Sequence, residues 1–73
     1  MNRAYVLIWC KKFCNNPDLT DTEDFSVVLD TVIETLERAG VTAESIGGMS
    51  QSFGETYMTV GNMLSPYKRL KSV

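Results

Sequence analysis

The clearest pattern in the sequence is an apolar stripe with helical spacing in the middle of the chain. Its apolar residues recur every three or four positions, at Phe25, Val28, Leu29, Val32, Ile33, Leu36 and Ala39. Acidic residues precede the stripe, where the helix dipole favours negative charge. Thr20 and Glu23 have the spacing of a capping box, and Gly40 suits a left-handed C-cap. The pattern predicts an amphipathic helix over about residues 21–39.

The N-terminal segment is apolar on nearly every side instead of on one. Its apolar residues are Val6, Leu7, Ile8, Trp9, Cys10, Phe13 and Cys14. This predicts a well-buried helix over about residues 3–14, with Lys11 and Lys12 near its C-terminal end, where they suit the dipole. The proline at the end of residues 15–17 stops it. A strand over residues 4–10 is the competing interpretation, because a short apolar run is compatible with either structure.

Residues 41–54 follow neither a helical nor a strand pattern. Small and polar residues separate the apolar ones, which are Val41, Ile46, Met49 and Phe53. Gly47 and Gly48 give the chain freedom to bend. We therefore expect a flexible glycine- and serine-rich segment, in which residues 46–53 can be extended. It is either a surface loop or an interaction segment that becomes ordered when it docks on a neighbour.

The C-terminal part contains one more short apolar pattern. The residues at helical spacing are Tyr57, Val60, Met63 and Leu64. They predict a third helix over about residues 55–64, although Gly61 weakens it by roughly 1 kcal/mol relative to alanine. Pro66 ends this helix, and residues 65–73 form a basic tail with Leu70 as an apolar anchor. The chain is thus predicted to be a single all-α domain of three helices.

Length and composition limit the chemistry that is available. A domain of 73 residues has a core that supplies about 3–5 kcal/mol unless staples or other chains help it. There is no histidine, the commonest general base and metal ligand. Cys10 and Cys14 cannot complete a zinc site alone, so we interpret them as reduced core thiols of a cytosolic protein. We expect a protein that is not an enzyme and binds no cofactor or metal.

Charge is unevenly distributed along the chain. Residues 18–55 contain all nine acids and one base, Arg38, whereas the remainder contains bases and no acid. This division is either ordinary solvated surface or a pair of complementary surfaces that join different copies head to tail. The tail bases Lys68, Arg69 and Lys71 also leave contact with nucleic acid open. However, a pI of about 4.9 is unusual for a DNA-binding domain.

Three stretches, residues 25–40, 42–53 and 64–70, carry a family resemblance. The first is the amphipathic helix that ends at an arginine, an alanine and a glycine, and the second contains Glu-Ser-Ile-Gly. The third reads Leu-Ser-Pro-Tyr-Lys-Arg-Leu. Together they resemble the phage head–tail connector family, small proteins also described as DNA-packaging adaptors. Position 68 is lysine where that family often has arginine, and its members are often longer, with more helix before the segment that corresponds to residues 5–14.

The resemblance implies a helical protein that forms a homo-oligomeric ring on the portal of the capsid. It also implies assembly in the bacterial host cytoplasm and a place at the virion head–tail junction, where tail-side connector proteins attach and DNA passes without specific binding. Its implied subunit or portal contacts are Ser45, Ile46, Gly47, Gly48, Met49, Ser52, Phe53, Pro66, Tyr67, Lys68 and Arg69. The alternative is a small regulatory or DNA-associated protein that contacts nucleic acid through its basic tail.

Overall fold

The computed structural model describes residues 2–69 and is helical over most of that range. Its α-helices are α1 (Arg3–Cys14), α2 (Glu23–Ala39), α3 (Met49–Ser52) and α4 (Gly54–Leu64), and two 3₁₀ helices span Ile46–Gly48 and Ser65–Tyr67. The described residues contain no strand, so the predicted all-α fold is confirmed. Residues 4–10 belong to α1, which excludes the strand alternative for that segment.

Both ends of α1 are closed by asparagine. The side-chain oxygen of Asn2 accepts hydrogen bonds from the backbone N–H groups of Ala4 at 2.9 Å and Tyr5 at 3.2 Å. These bonds satisfy two of the donors that a helix leaves unpaired at its N-terminus. Asn15 ends the helix in the left-handed conformation, with φ of 52°, which asparagine adopts more readily than most residues.

The two ends of α2 differ from each other. The helix begins at Glu23 after Thr22, whose side chain makes no capping hydrogen bond. The capping box predicted from Thr20 and Glu23 is therefore wrong, because the helix begins later than that pattern requires. At the other end Gly40 has φ of 82°, as predicted for a left-handed C-cap.

The core lies between α2, α4 and the inner side of α1. Its buried apolar residues are Val6, Cys10, Cys14, Leu19, Phe25, Leu29, Val32, Leu36, Val41, Ile46, Met49, Val60 and Leu64. The end of the described chain returns to α1, since the backbone N–H of Arg69 donates to the carbonyl oxygen of Cys14 at 2.8 Å. The Asn16 amide donates to the carbonyl oxygen of Tyr67 at 3.0 Å.

Within the segment of residues 41–54, the elements Ile46–Gly48 and Met49–Ser52 are helical where an extended conformation was expected. Ile46 and Met49 are spaced as neighbours on one side of a helix, and they are 1% and 0% exposed. Their burial outweighs the low helix propensity of the two glycines. A turn precedes them, in which the Thr42 N–H donates to Ser45 Oγ at 2.8 Å and the Ser45 N–H to Thr42 Oγ1 at 3.3 Å.

The last elements bring the C-terminal part of the chain back against α1. A Cβ atom added at Gly61 of α4 would lie 3.4 Å from Cζ of Phe13, so the two helices pack closely there. After α4 the chain makes the 3₁₀ turn Ser65–Tyr67. The predicted anchor Leu70 and the basic residue Lys71 lie outside the described residues.

Candidate assembly surface

The outward side of α1 is apolar and incompletely covered. Tyr5 and Ile8 are 45% and 51% exposed, whereas the inner side of the same helix contains fully buried Val6 and Cys10. A helix at the boundary of a domain this small buries only one side, because such domains bury a modest fraction of their surface. The prediction that α1 is well buried is therefore wrong for its outward side.

Aromatic rings form one wall of a groove beside this side of α1. Trp9 stacks on Phe13 with ring centroids 5.1 Å apart and planes inclined by 22°. Phe13 in turn meets Tyr57 of α4 edge to face, with centroids 5.6 Å apart. Both arrangements are favoured by the charge distribution of aromatic rings. The three rings therefore support one another and connect α1 to α4.

The groove has a volume of about 460 Å³. Tyr5, Ile8 and Lys12 contribute to it from α1, and Gly47 and Ser50 lie across from them. Of the residues that line it within the described chain, Lys12 alone carries a charge. A second hollow of about 360 Å³ shares Ile8 and Lys12 with the groove and adds Lys11. The apolar groove is therefore bordered at Ile8 and Lys12 by a hollow whose lining residues are mostly polar and which carries positive charge.

Arginines and lysines differ in whether they form ion pairs within the described chain. Each of the three arginines forms an ion pair within the chain, namely Arg3 with Asp21 and Asp30, Arg38 with Glu34, and Arg69 with Asp18. Lys11, Lys12 and Lys68 form no ion pair with any described residue. The positive charge that remains available to another molecule is therefore carried by lysines.

These three lysines lie towards the C-terminal end of α1. Lys11 and Lys12 are in its last turn, and the Nζ atom of Lys68 lies 4.6 Å from the centroid of the Phe13 ring. A cation over an aromatic face is stabilised by the ring's negative charge density. The end of the groove therefore combines aromatic rings with unpaired positive charge.

The buried cysteines are free and poorly suited to react. Burial raises the pKa of Cys10 to about 12, and nearby Cys14 contributes to the shift. Burial also raises the pKa of Cys14, against the opposing effect of Lys68. Since the thiolate is the reactive form, both thiols are protonated and weak nucleophiles at neutral pH. Within residues 2–69, no group of three or more cysteine, aspartate or glutamate side chains is placed to hold a metal ion.

The contact residues implied in the segment of residues 45–53 lie in different environments. Ile46 and Met49 are core residues, so they offer almost no side-chain surface to a partner in this fold. Ser45 is occupied by the turn with Thr42. Ser45 and Phe53 are partly exposed, and Gly47, Gly48 and Ser52 are exposed. Of the implied contacts in this segment, Ile46 and Gly47 line the groove.

The contact residues implied near the C-terminus are mostly engaged with the domain itself. Tyr67 packs edge to face against Phe25, with centroids 5.0 Å apart. Arg69 donates to Asp18 at 2.7 Å, and Lys68 covers Phe13. Pro66 is exposed. The described part of the basic tail therefore lies against the domain.

The sequence analysis did not identify Tyr5, Ile8, Trp9, Lys12 or Tyr57 as contact residues. The signal was present for α1, because a segment that is apolar on nearly every side has more apolar surface than a small domain buries. Tyr57 was less accessible to prediction. Its spacing fitted the inner side of α4, and only the tertiary structure places it beside Phe13.

The helices found within residues 2–69 are too short or too polar to cross a membrane. Comparison of the chain with family models, with curated proteins and with solved structures gave no match. Function is therefore inferred from the surface of the chain and from the resemblance carried by residues 25–40, 42–53 and 64–70.

Proposed function

We propose that this chain is a structural assembly protein of the head–tail connector type. In this role, copies of it associate into a ring on a phage portal, and tail-side connector proteins attach to that ring. The connector type is proposed because residues 25–40, 42–53 and 64–70 resemble that family. The observation that carries an assembly role is the outward side of α1, where Tyr5 and Ile8 are about half exposed beside an aromatic groove.

Exposed apolar surface of this kind favours an interface. Single exposed apolar residues are common on proteins, but contiguous apolar patches with a polar border are typical of interaction sites. Here Tyr5, Ile8 and Trp9 line one groove, and Lys12 contributes to its border. Aromatic residues are enriched at the centres of protein interfaces. The surface therefore has the composition expected of a protein-binding site.

The groove is a poor candidate for an active site. Its lining contains Tyr5, Lys12, Ser50 and Tyr57 as polar side chains, and it brings no carboxylate or imidazole beside the serine hydroxyl. A serine nucleophile needs a base within hydrogen-bonding reach, and Ser50 forms no hydrogen bond with Lys12, the one other candidate base among the described residues that line the groove. The arrangement supports binding in preference to catalysis.

The alternative role in nucleic-acid binding has weaker support. It depends on the basic tail, yet Arg69 is paired with Asp18 and Lys68 lies over Phe13. Lys71 lies outside the described residues. Basic side chains that already contact their own domain are less available to phosphates. Contacts with phosphates are the main source of nucleic-acid affinity.

Native mass spectrometry and light scattering test the proposed function directly. The full chain is measured alone and after mixing with the portal protein encoded in the same genome. We expect one discrete oligomer larger than a dimer, either alone or on the portal, and negative-stain images of closed rings. A chain that stays monomeric at high concentration and ignores the portal would contradict the proposal.

A further inference from the structure

We infer that the groove beside α1 receives the exposed side of α2 from a second copy of this chain. The inference rests on the proposed assembly function and deepens it, because it identifies the two surfaces that meet between neighbouring subunits. It depends on the apolar and charged residues that folding leaves uncovered on α1 and α2.

The exposed side of α2 is acidic around one apolar side chain. Val27 is 66% exposed, and it lies opposite the buried stripe of the helix. Glu23 and Asp24 are one turn before it, and Glu34 is two turns after it. Glu23 and Asp24 form no ion pair with any described residue. Glu34 is paired with Arg38, so the unpaired negative charge of this surface lies one turn before Val27, at Glu23 and Asp24.

The groove beside α1 has the opposite character. It is apolar and aromatic at its centre, and Lys11 and Lys12 stand near one end without an ion pair to any described residue. Seating Val27 of another copy against Ile8 would bring the acids of α2 towards these lysines. Complementary charge of this kind steers association and fixes the orientation of the partners.

The two surfaces belong to different helices and share no residue. Contact between them is therefore heterologous, and repetition of a heterologous contact produces a closed ring or an open filament. A stable interface covers about 800 Å² on each partner, and each subunit in a ring has two interfaces. With 4899 Å² of accessible surface, the chain has room for both.

Charge reversal on each surface tests the pairing. The groove variant is Lys11→Glu with Lys12→Glu, and the helix variant is Glu23→Lys with Asp24→Lys. Glu44→Lys with Glu55→Lys is the matched control, because it makes the same charge change at exposed acids outside α2. Glu55 lies in the first turn of α4, as Glu23 and Asp24 do in α2. Any effect on the helix dipole is therefore represented in the control.

Sedimentation velocity of the full-length variants, at several concentrations and in low salt, gives the readout. We expect the groove variant and the helix variant each to weaken self-association by roughly tenfold or more, because like charges then face each other. An equimolar mixture of the two should recover association, since each altered surface finds a complementary one. The control should associate like the unaltered chain, and far-ultraviolet circular dichroism should show equal helicity for all variants.

Each other result overturns the inference in a distinguishable way. Association that survives in both variants would exclude these surfaces while leaving the proposed function intact. Loss in both variants without recovery in the mixture would show that they do not pair with each other. Binding of a fluorescent DNA duplex that the groove variant alone abolishes, with self-association unchanged, would identify a nucleic-acid surface. An unaltered chain that is monomeric with and without the portal would overturn the proposed function as well.

Discussion

Helices α1 and α2 pack against the same core, yet they leave very different surfaces outside it. The outward side of α2 consists largely of charged residues, and Val27 is its one strongly exposed large apolar side chain. The outward side of α1 instead exposes Tyr5 and Ile8 beside the groove. The charged outward side of α2 is typical of the solvent-facing side of an amphipathic helix. The outward side of α1 instead has apolar side chains that the folded domain leaves partly exposed.

This difference distinguishes apolar residues that are buried in the core from apolar residues that the fold leaves exposed. The core explains the buried stripe of α2, which consists of Phe25, Leu29, Val32 and Leu36, but not Val27, which is 66% exposed. Nor does it explain the apolar residues on the outward side of α1. We attribute them to a partner, and the following experiments test the distinction between the two helices.

The largest expected effect comes from the buried stripe of α2. Leu36 is 0% exposed, so Leu36→Ala should lower the free energy of unfolding by about 2–5 kcal/mol, through lost burial and the cavity that remains. Val27→Ala on the opposite side of the helix is the control and should change it by no more than about 0.5 kcal/mol. Urea denaturation of both variants measures the difference. Similar losses at the two positions would contradict the assignment of the two sides of α2.

Because the thiols on the inner side of α1 are buried, we expect the free energy of unfolding to fall at alkaline pH. The pKa of Cys10 is raised to about 12 in the folded chain, compared with about 8.5 for an unfolded cysteine. Above the lower value the unfolded chain releases the proton first, so the stability contributed by the neutral thiol falls as the pH rises through this window. Urea denaturation between these values measures the slope. Cys10→Ala should make it shallower, and an unchanged slope would exclude Cys10 as its source.

Smaller effects on stability are expected at the N-caps of α1 and α2, which can be compared directly. Asn2 accepts two backbone hydrogen bonds at the start of α1, whereas Thr22 accepts none at the start of α2. Asn2→Ala should therefore cost about 1 kcal/mol of stability, and Thr22→Ala should cost much less. Thermal unfolding of the two variants compares them. A larger effect at Thr22 would mean that its side chain caps α2 after all.

The smallest effect concerns the ion pair between Arg3 of α1 and Asp21, which lies two residues before the start of α2. The hydrogen bond from Arg3 is the main reason that the pKa of Asp21 lies below its usual range. Its contribution is present above the unfolded value of about 3.9 and is lost as the pH falls through the lowered value. Nuclear magnetic resonance titration should show the Asp21 pKa returning towards normal in Arg3→Gln. A pKa that does not respond would exclude the pair.

The sequence predicted the structure best where one pattern dominated. The stripe of α2 and the C-cap at Gly40 follow from spacing and from the left-handed conformation that glycine tolerates. The segment around Ile46 and Met49 was harder, because its glycines and serines suggest a loop. Its helical turns depend on the burial of those two side chains against the rest of the domain, which local propensity does not report.

The candidate surface was predictable only in part. The sequence indicated an assembly role and complementary charge, but it placed the contacts at residues such as Met49 and Tyr67, which the fold uses internally. Which of the bases remain unpaired also depends on long-range contacts, such as that between Arg69 and Asp18. The groove is a product of tertiary packing, so its location required the structure.

The most direct test of the proposed role of α1 is sedimentation velocity of Ile8→Asp, at concentrations where the unaltered chain associates. Ile8 is 51% exposed, so the substitution should leave the urea midpoint nearly unchanged while placing a charge on the apolar surface. We expect a folded monomer that no longer associates. Association equal to that of the unaltered chain, with the fold intact, would show that the outward side of α1 is not covered by another subunit.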